Sequence, residues 1–258
     1  EFRRVLFRSE LWRQRESLCA QWKQLCGLGF LGFCFNQTCA YAALHTTTAV
    51  NLLIISASAP LLIALANRIV FGVQFSRALA GAIALSMAGI LVVVSRGETR
   101  TLRSLSFNAG DLLALASTAA FAAYSVLMER RKLPALSPTA LVCAIALGAL
   151  LFLAPAYAWR TTAGDRIACT WPNVLTLGYL GVCGSALAYQ CWNRGVTVVG
   201  ANRAGFFYNL VPVFGILLAV MLLGERLSAY HFVGAALVFA GIVLASGSHL
   251  NELLVWNE

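Results

Sequence analysis

The sequence predicts an all-α integral membrane protein built on an internal repeat, and three observations carry that expectation. Of its 258 residues, 60% are hydrophobic and only 11% charged, where soluble domains run at roughly a quarter charged. Apolar runs of membrane-crossing length follow one another from Leu25 to Gly247. Shifting the chain by 152 places also aligns it with itself: Pro60 falls on Pro212, Gly72 on Gly224, Ser76 on Ser228 and Gly89 on Gly241. Without a gap, 14 of the 65 positions from 28 to 92 are identical to their partners, Leu28, Gly29, Gly32, Cys39, Ala49 and Ala84 among them. Shared membrane composition produces some matches, but not helix-breaking Pro and Gly in constant register.

Eight spans are predicted, at 25–44, 48–71, 78–95, 109–128, 138–159, 173–193, 198–223 and 230–247. Each can cross about 30 Å of hydrocarbon as a helix. In lipid a segment must satisfy its own backbone groups, and the period-two polarity of a closed barrel is absent, so helices are expected. Connections as short as His45–Thr47 and Gly72–Arg77 make neighbouring spans antiparallel. The first nine residues resemble nothing that follows, and residues 1–24 read as a loop ahead of the bundle. Residues 25–95 then hold three helices of the first repeat, 96–108 connect, 109–247 form a five-helix second repeat, and 248–258 make a tail.

The offset carries the first span onto the sixth. Five steps is an odd number, so the second copy lies upside down relative to the first. Inverted repeats of this kind place a solute site near the midplane between two halves that rock. With the first nine residues left out, loop cations number eight on one side (Arg13, Arg15, Lys23, Arg77, Arg130, Arg131, Lys132, Arg194) and six on the other (Arg96, Arg100, Arg103, Arg160, Arg166, Arg226). The cluster at 130–132 marks the first side as cytoplasmic.

The net charge of +9 sits in these loops and forms no basic amphipathic face, which argues against nucleic acid. The eight cysteines show no paired CxxC spacing and no adjacent His, so they read as small packing residues. No metal-ligand spacing, phosphate-binding glycine loop or nucleophile–base constellation is visible, and neither a cofactor nor an enzyme is expected.

Asn209-Leu-Val-Pro212, the turn Leu223-Gly-Glu-Arg-Leu227 and Gly234 through Gly241, echoed by Pro60, Gly72, Ala88 and Gly89, resemble the drug/metabolite transporter superfamily, in particular its two-repeat EamA-type group. The resemblance covers nearly everything from Leu25 to Gly247. It implies ten helices in two inverted five-helix halves about a central cavity, with cytoplasmic termini. It further implies export of small metabolites or drugs across the cytoplasmic membrane without ATP hydrolysis. The chain departs from that pattern twice. Eight helices are present of the expected ten, the other pair falling ahead of Leu25, and Gly72-Val73 stands where the group has Gly-Glu. Those departures favour the rival reading, a transport-inactive membrane scaffold or sensor.

Polar side chains inside spans are the candidate cavity residues, because an amide or cation in hydrocarbon needs a partner. They are Asn36, Gln37, Tyr41, Asn51, Tyr124, Tyr189, Asn202, Arg203, Tyr208 and Asn209. The competing readings are interhelical bonding for Asn36 and Gln37, snorkelling for Arg203 and interface marking for the aromatics, Trp192 above all. Pro60 and Pro212 are expected to break their helices, freeing backbone to a cavity or merely kinking it. Asp111 and Glu225 are the candidate proton-coupling carboxylates. Asp111 equally suits a helix N-terminus, and Glu225, beside Arg226, equally suits the surface. The expected partners are a small-molecule solute and the lipid bilayer, with a homodimer left open.

Overall fold

The computed structural model describes residues 15–72, 76–95, 108–130, 137–162, 164, 168–211, 213–214, 217–218, 221 and 228–255. Pro212 and Glu225 lie outside the described residues. Within them every regular element is helical.

A short α1 (Arg15–Ala20) precedes α2 (Trp22–Gly29), which runs through a π-helical stretch, π1 (Phe30–Phe35), into α3 (Asn36–Ala43). The second predicted span is interrupted: α4 (Ala49–Ser56) stops, the chain turns at Ala57–Ser58, and α5 (Ala59–Phe71) resumes. Pro60 stands in the first turn of α5, where its missing N–H removes no intrahelical bond. The break therefore falls just ahead of Pro60. Thr48 caps α4 by accepting from Asn51 N, and Ser76 caps α6 (Arg77–Val94) by accepting from Leu79 N.

Next come α7 (Ala109–Arg130) and α8 (Pro138–Thr162). The rod Trp171–Val199 then repeats the rod made by α2, π1 and α3: it runs through α9 (Trp171–Tyr179), π2 (Leu180–Leu187) and α10 (Ala188–Val199). Last are α11 (Ala201–Tyr208) and α12 (Ala229–Val255). Five described stretches are long and apolar enough to cross a membrane: Asn51–Phe71, Arg77–Val94, Ala109–Glu129, Pro138–Thr162 and Trp171–Val199. Ala229–Ala245 is a shorter apolar helix. Ile69, Leu151, Leu175 and Val243 are exposed on the outside of these helices. So much outward apolar surface fits lipid and not water.

α7 is the central post, packing on α3, α4, α5, α10 and α11. One buried cluster joins Leu28, Ile63, Tyr124, Ile145 and Val196, and a second joins Ile83, Ile90, Phe206 and Val238. α6 and α12 cross through glycines. A Cβ on Gly89 would lie 2.7 Å from the Gly234 carbonyl oxygen, and one on Gly241 would lie 2.9 Å from the Ala82 oxygen. The late part of each helix meets the early part of the other, so the pair is antiparallel.

Each end of α7 is fastened by a carboxylate. At its start Asn108 and Asp111 form a reciprocal cap: Asn108 N donates to Asp111 Oδ2 at 2.8 Å, and Asp111 N donates to Asn108 Oδ1 at 3.2 Å. Asp111 Oδ1 also accepts from Thr47 Oγ1 and, at 3.1 Å, from Asn51 Nδ2, which ties the start of α4 to this end. At the far end Glu129 Oε2 accepts from Ala201 N at 2.9 Å and caps α11. Gly200, at φ 86°, turns the chain into that contact.

Candidate functional site

A cavity of about 440 Å³ opens between the helices, within the usual size of a small-ligand pocket. α3 contributes Asn36, Gln37 and Ala40, and the end of α4 contributes Ser56 with Ala57 beyond it. α7 supplies Ser117, Thr118 and Phe121; α10 supplies Ala188, Tyr189 and Trp192; Tyr208 and Asn209 close α11. Leu52, Leu53, Ile90 and Val211 complete the wall. Among the described lining residues none carries a formal charge.

The lining follows the repeat. Adding 152 to Asn36, Gln37 and Ala40 gives Ala188, Tyr189 and Trp192; adding it to Ser56 and Ala57 gives Tyr208 and Asn209. In both rods the lining residues begin directly after the π-helical stretch, at Asn36 after π1 and Ala188 after π2. π-helical turns recur at functional sites because the widened turn disturbs the regular hydrogen-bond ladder.

A polar network ties the two rods together. Asn36 Oδ1 accepts from Ser117 Oγ at 2.7 Å, and its Nδ2 donates to Gly32 O at 3.2 Å and to Tyr189 Oη at 3.4 Å. Tyr189 Oη donates in turn to the Gly32 carbonyl, inside π1. Trp192 Nε1 donates to Ser125 Oγ at 3.2 Å. Phe121 stands 4.8 Å from Trp192 and 5.2 Å from Tyr208, ring centre to ring centre, and Trp192 meets Tyr208 edge-on at 6.1 Å. The three rings form one aromatic wall. Asn209 is only 1% exposed, and neither atom of its amide has a hydrogen-bond partner.

Of the residues singled out in the sequence, Asn36, Gln37, Tyr189, Tyr208 and Asn209 come together around this cavity. The others stand elsewhere. Tyr41 is exposed. Asn51 bonds Asp111, and Asn202 Oδ1 accepts from Asn67 Nδ2 at 2.8 Å. Tyr124 is fully buried and donates to Asn193 Oδ1 at 2.6 Å. Arg203 is half-buried and outside the lining. Asp111 is likewise outside it, with its three donors all serving the carboxylate form. Trp192, read from the sequence as an interface marker, lines the cavity instead. The offset would have found it, since it is the repeat partner of Ala40, three residues beyond Gln37. The same step from Tyr208 and Asn209 reaches Ser56 and Ala57.

A comparison with protein families decides the identity: the family described as the EamA-like transporter family matches residues 5–95 and again 108–247. The chain belongs to that family. As an EamA-like transporter it works on a solute from within lipid, and it is not an enzyme. It is 27% identical over 222 residues to the "Uncharacterized transporter YyaM" of Bacillus subtilis, covering 85% of this chain and 72% of that protein. To an "Uncharacterized transporter" of Archaeoglobus fulgidus it is 28% identical over 227 residues, 88% of this chain and 77% of the relative. A crystal structure superposes with a TM-score of 0.73 at 20% identity, covering 93% of this EamA-like chain and 81% of its own. That likeness speaks for the fold alone.

Proposed function

We propose that this chain is a secondary transporter that moves a small metabolite or drug across the cytoplasmic membrane by alternating access between inverted repeats. The cavity is its solute site. The observation that carries the reading is the repeat relation of the lining, in which residues 36, 37, 40, 56 and 57 and their partners 188, 189, 192, 208 and 209 all border one space.

Two further contacts support inversion. Exchanging partners across the offset turns the contact of Gly89 with Gly234 and Val238 into that of Gly241 with Ala82 and Ser86, and both exist. A contact that maps onto itself in this way is the signature of a two-fold axis, and because the helices are antiparallel the axis crosses them. Ala49 and Ala201, also 152 apart, begin helices fastened to opposite ends of α7, one through Asp111 and the other through Glu129. In this reading eight helices are arranged as two opposed groups, and rocking one group against the other exposes the cavity to each side in turn. We take the direction to be export, a reading that the family resemblance supports.

The test is solute flux in sealed vesicles holding the purified chain, against a mixed metabolite panel with and without a proton gradient. Gradient-dependent movement that Trp192→Ala abolishes, with the protein still folded, is the expected result. Folded protein that moves nothing on the panel would point to a membrane scaffold or sensor.

A further inference from the structure

The solute's chemistry can be narrowed from the two faces of the cavity, on the reading that the cavity is the transport site. The repeats have the same frame but unlike side chains. At the repeat-related positions the first repeat supplies small and polar groups, Gln37, Ala40, Ser56 and Ala57, beside its Leu52, Leu53 and Ile90; the second supplies Tyr189, Trp192, Tyr208 and Asn209. With Phe121 of α7, the second repeat makes a wall of three mutually tilted rings. A flat ring has the shape and polarisability to lie against such a wall.

The described lining offers a charged solute no counter-charge. No described lining residue is Asp, Glu, Lys, Arg or His. A carboxylate or phosphate entering this space leaves water without meeting a counter-charge, and polar contacts do not offset that loss. An ammonium would gain a cation–π contact with the rings but no described carboxylate to neutralise it once it leaves water.

The polar groups that remain are mostly engaged. Asn36 is held by Ser117, Gly32 and Tyr189, Thr118 Oγ1 donates to Ala114 O, and the Trp192 N–H is held by Ser125. Asn209 is the exception. Its amide carries donors and an acceptor side by side, unpaired and almost without exposed surface, on a residue that borders the cavity. Leaving both unmade is costly, and a ligand edge with an adjoining donor and acceptor satisfies them together.

We infer that the solute is an uncharged, planar heteroaromatic molecule carrying a donor–acceptor edge of the amide or nucleobase type, stacked on the Phe121–Trp192–Tyr208 wall and paired with Asn209. Labelled nicotinamide and adenine test this in vesicles containing the whole chain. Their binding is compared with nicotinate, 1-methylnicotinamide and cyclohexanecarboxamide, which in turn add a negative charge, add a positive charge or remove the aromatic ring. At least one of the two neutral aromatic probes binds about 10-fold or more tightly than all three comparators. Asn209→Leu and Trp192→Ala each weaken that binding by about 10-fold or more. Asn209→Leu also holds or raises the melting temperature, because it replaces an unpaired buried amide with hydrocarbon. That opposite movement separates a ligand contact from a structural one.

Nicotinate binding as tightly as the neutral probes would overturn the inference. So would indifference to the ring, or unchanged binding in Asn209→Leu. If neither probe binds while the same vesicles carry another solute, the substrate class falls and transport stands. If nothing binds and nothing moves, both fall.

Discussion

The two rods Trp22–Ala43 and Trp171–Val199 are copies of one design with opposite surroundings. Both pass through a π-helical stretch and then line the cavity. The first is packed on its other side by α7 and α8, where a Cβ on Gly148 would lie 2.9 Å from Cys26 Cα. Along the whole of Trp171–Val199 only Tyr189, Asn193 and Val196 are buried; α9 and π2 bury nothing. The cavity wall thus depends on the π turn and the residues after it, while the outer packing is specific to one copy. Site and stability are carried by different faces of the same helix.

Glycines break that comparison most sharply. Gly29 and Gly181 are repeat partners, as are Gly32 and Gly184. A Cβ on Gly29 would collide with the α8 backbone at Ala149 N, 2.6 Å away, whereas one on Gly181 would meet nothing within 4 Å. Gly29→Leu should therefore cost at least about 3 kcal/mol, or prevent folding, because backbone cannot step aside. Gly181→Leu should be neutral or slightly stabilising, since Leu favours helix over Gly by somewhat under about 1 kcal/mol. Thermal unfolding in detergent checks both.

The carboxylates at the two ends of α7 come next. Asp111→Asn weakens charge-assisted bonds from Thr47, Asn51 and Asn108 and should cost about 2–4 kcal/mol. Glu129→Gln keeps an acceptor for the single Ala201 N–H and should cost about 1 kcal/mol or less. Denaturation of the two variants side by side gives the ratio.

The α6–α12 crossing predicts equality where the rods predict contrast. Gly89→Ala and Gly241→Ala press on equivalent backbone, Gly234 and Ala82, so each should destabilise by about 1–3 kcal/mol and by similar amounts. The smallest effect belongs to Tyr189→Phe. It removes the hydroxyl shared with Gly32 and Asn36 and should cost about 1 kcal/mol while leaving the ring stacked on Phe33, 3.9 Å away.

Much of this was legible in residue order. Helix positions, the broken second span and the repeat offset all follow from hydrophobic run length and from Pro and Gly in register, which are local properties. Half of the predicted cavity residues line it because an amide or phenol in mid-span has few places to go. The residues that stand elsewhere share a cause. Asn51, Asn202 and Tyr124 also sit in spans, but their partners are Asp111, Asn67 and Asn193, many residues away, and a single span does not reveal which face meets which neighbour. Gly29 and Gly181 likewise each follow a leucine and stand three residues before another glycine, yet they differ in what a distant helix does.

The most direct test of the inverted-repeat account uses His45 and Thr197, exposed repeat partners 152 residues apart. With the eight native cysteines replaced, a single cysteine at each position is labelled in sealed, uniformly oriented vesicles by a maleimide that cannot cross the membrane. The account predicts labelling of one position from outside, and of the other only after the membrane is opened. Labelling of both from the same side would contradict it.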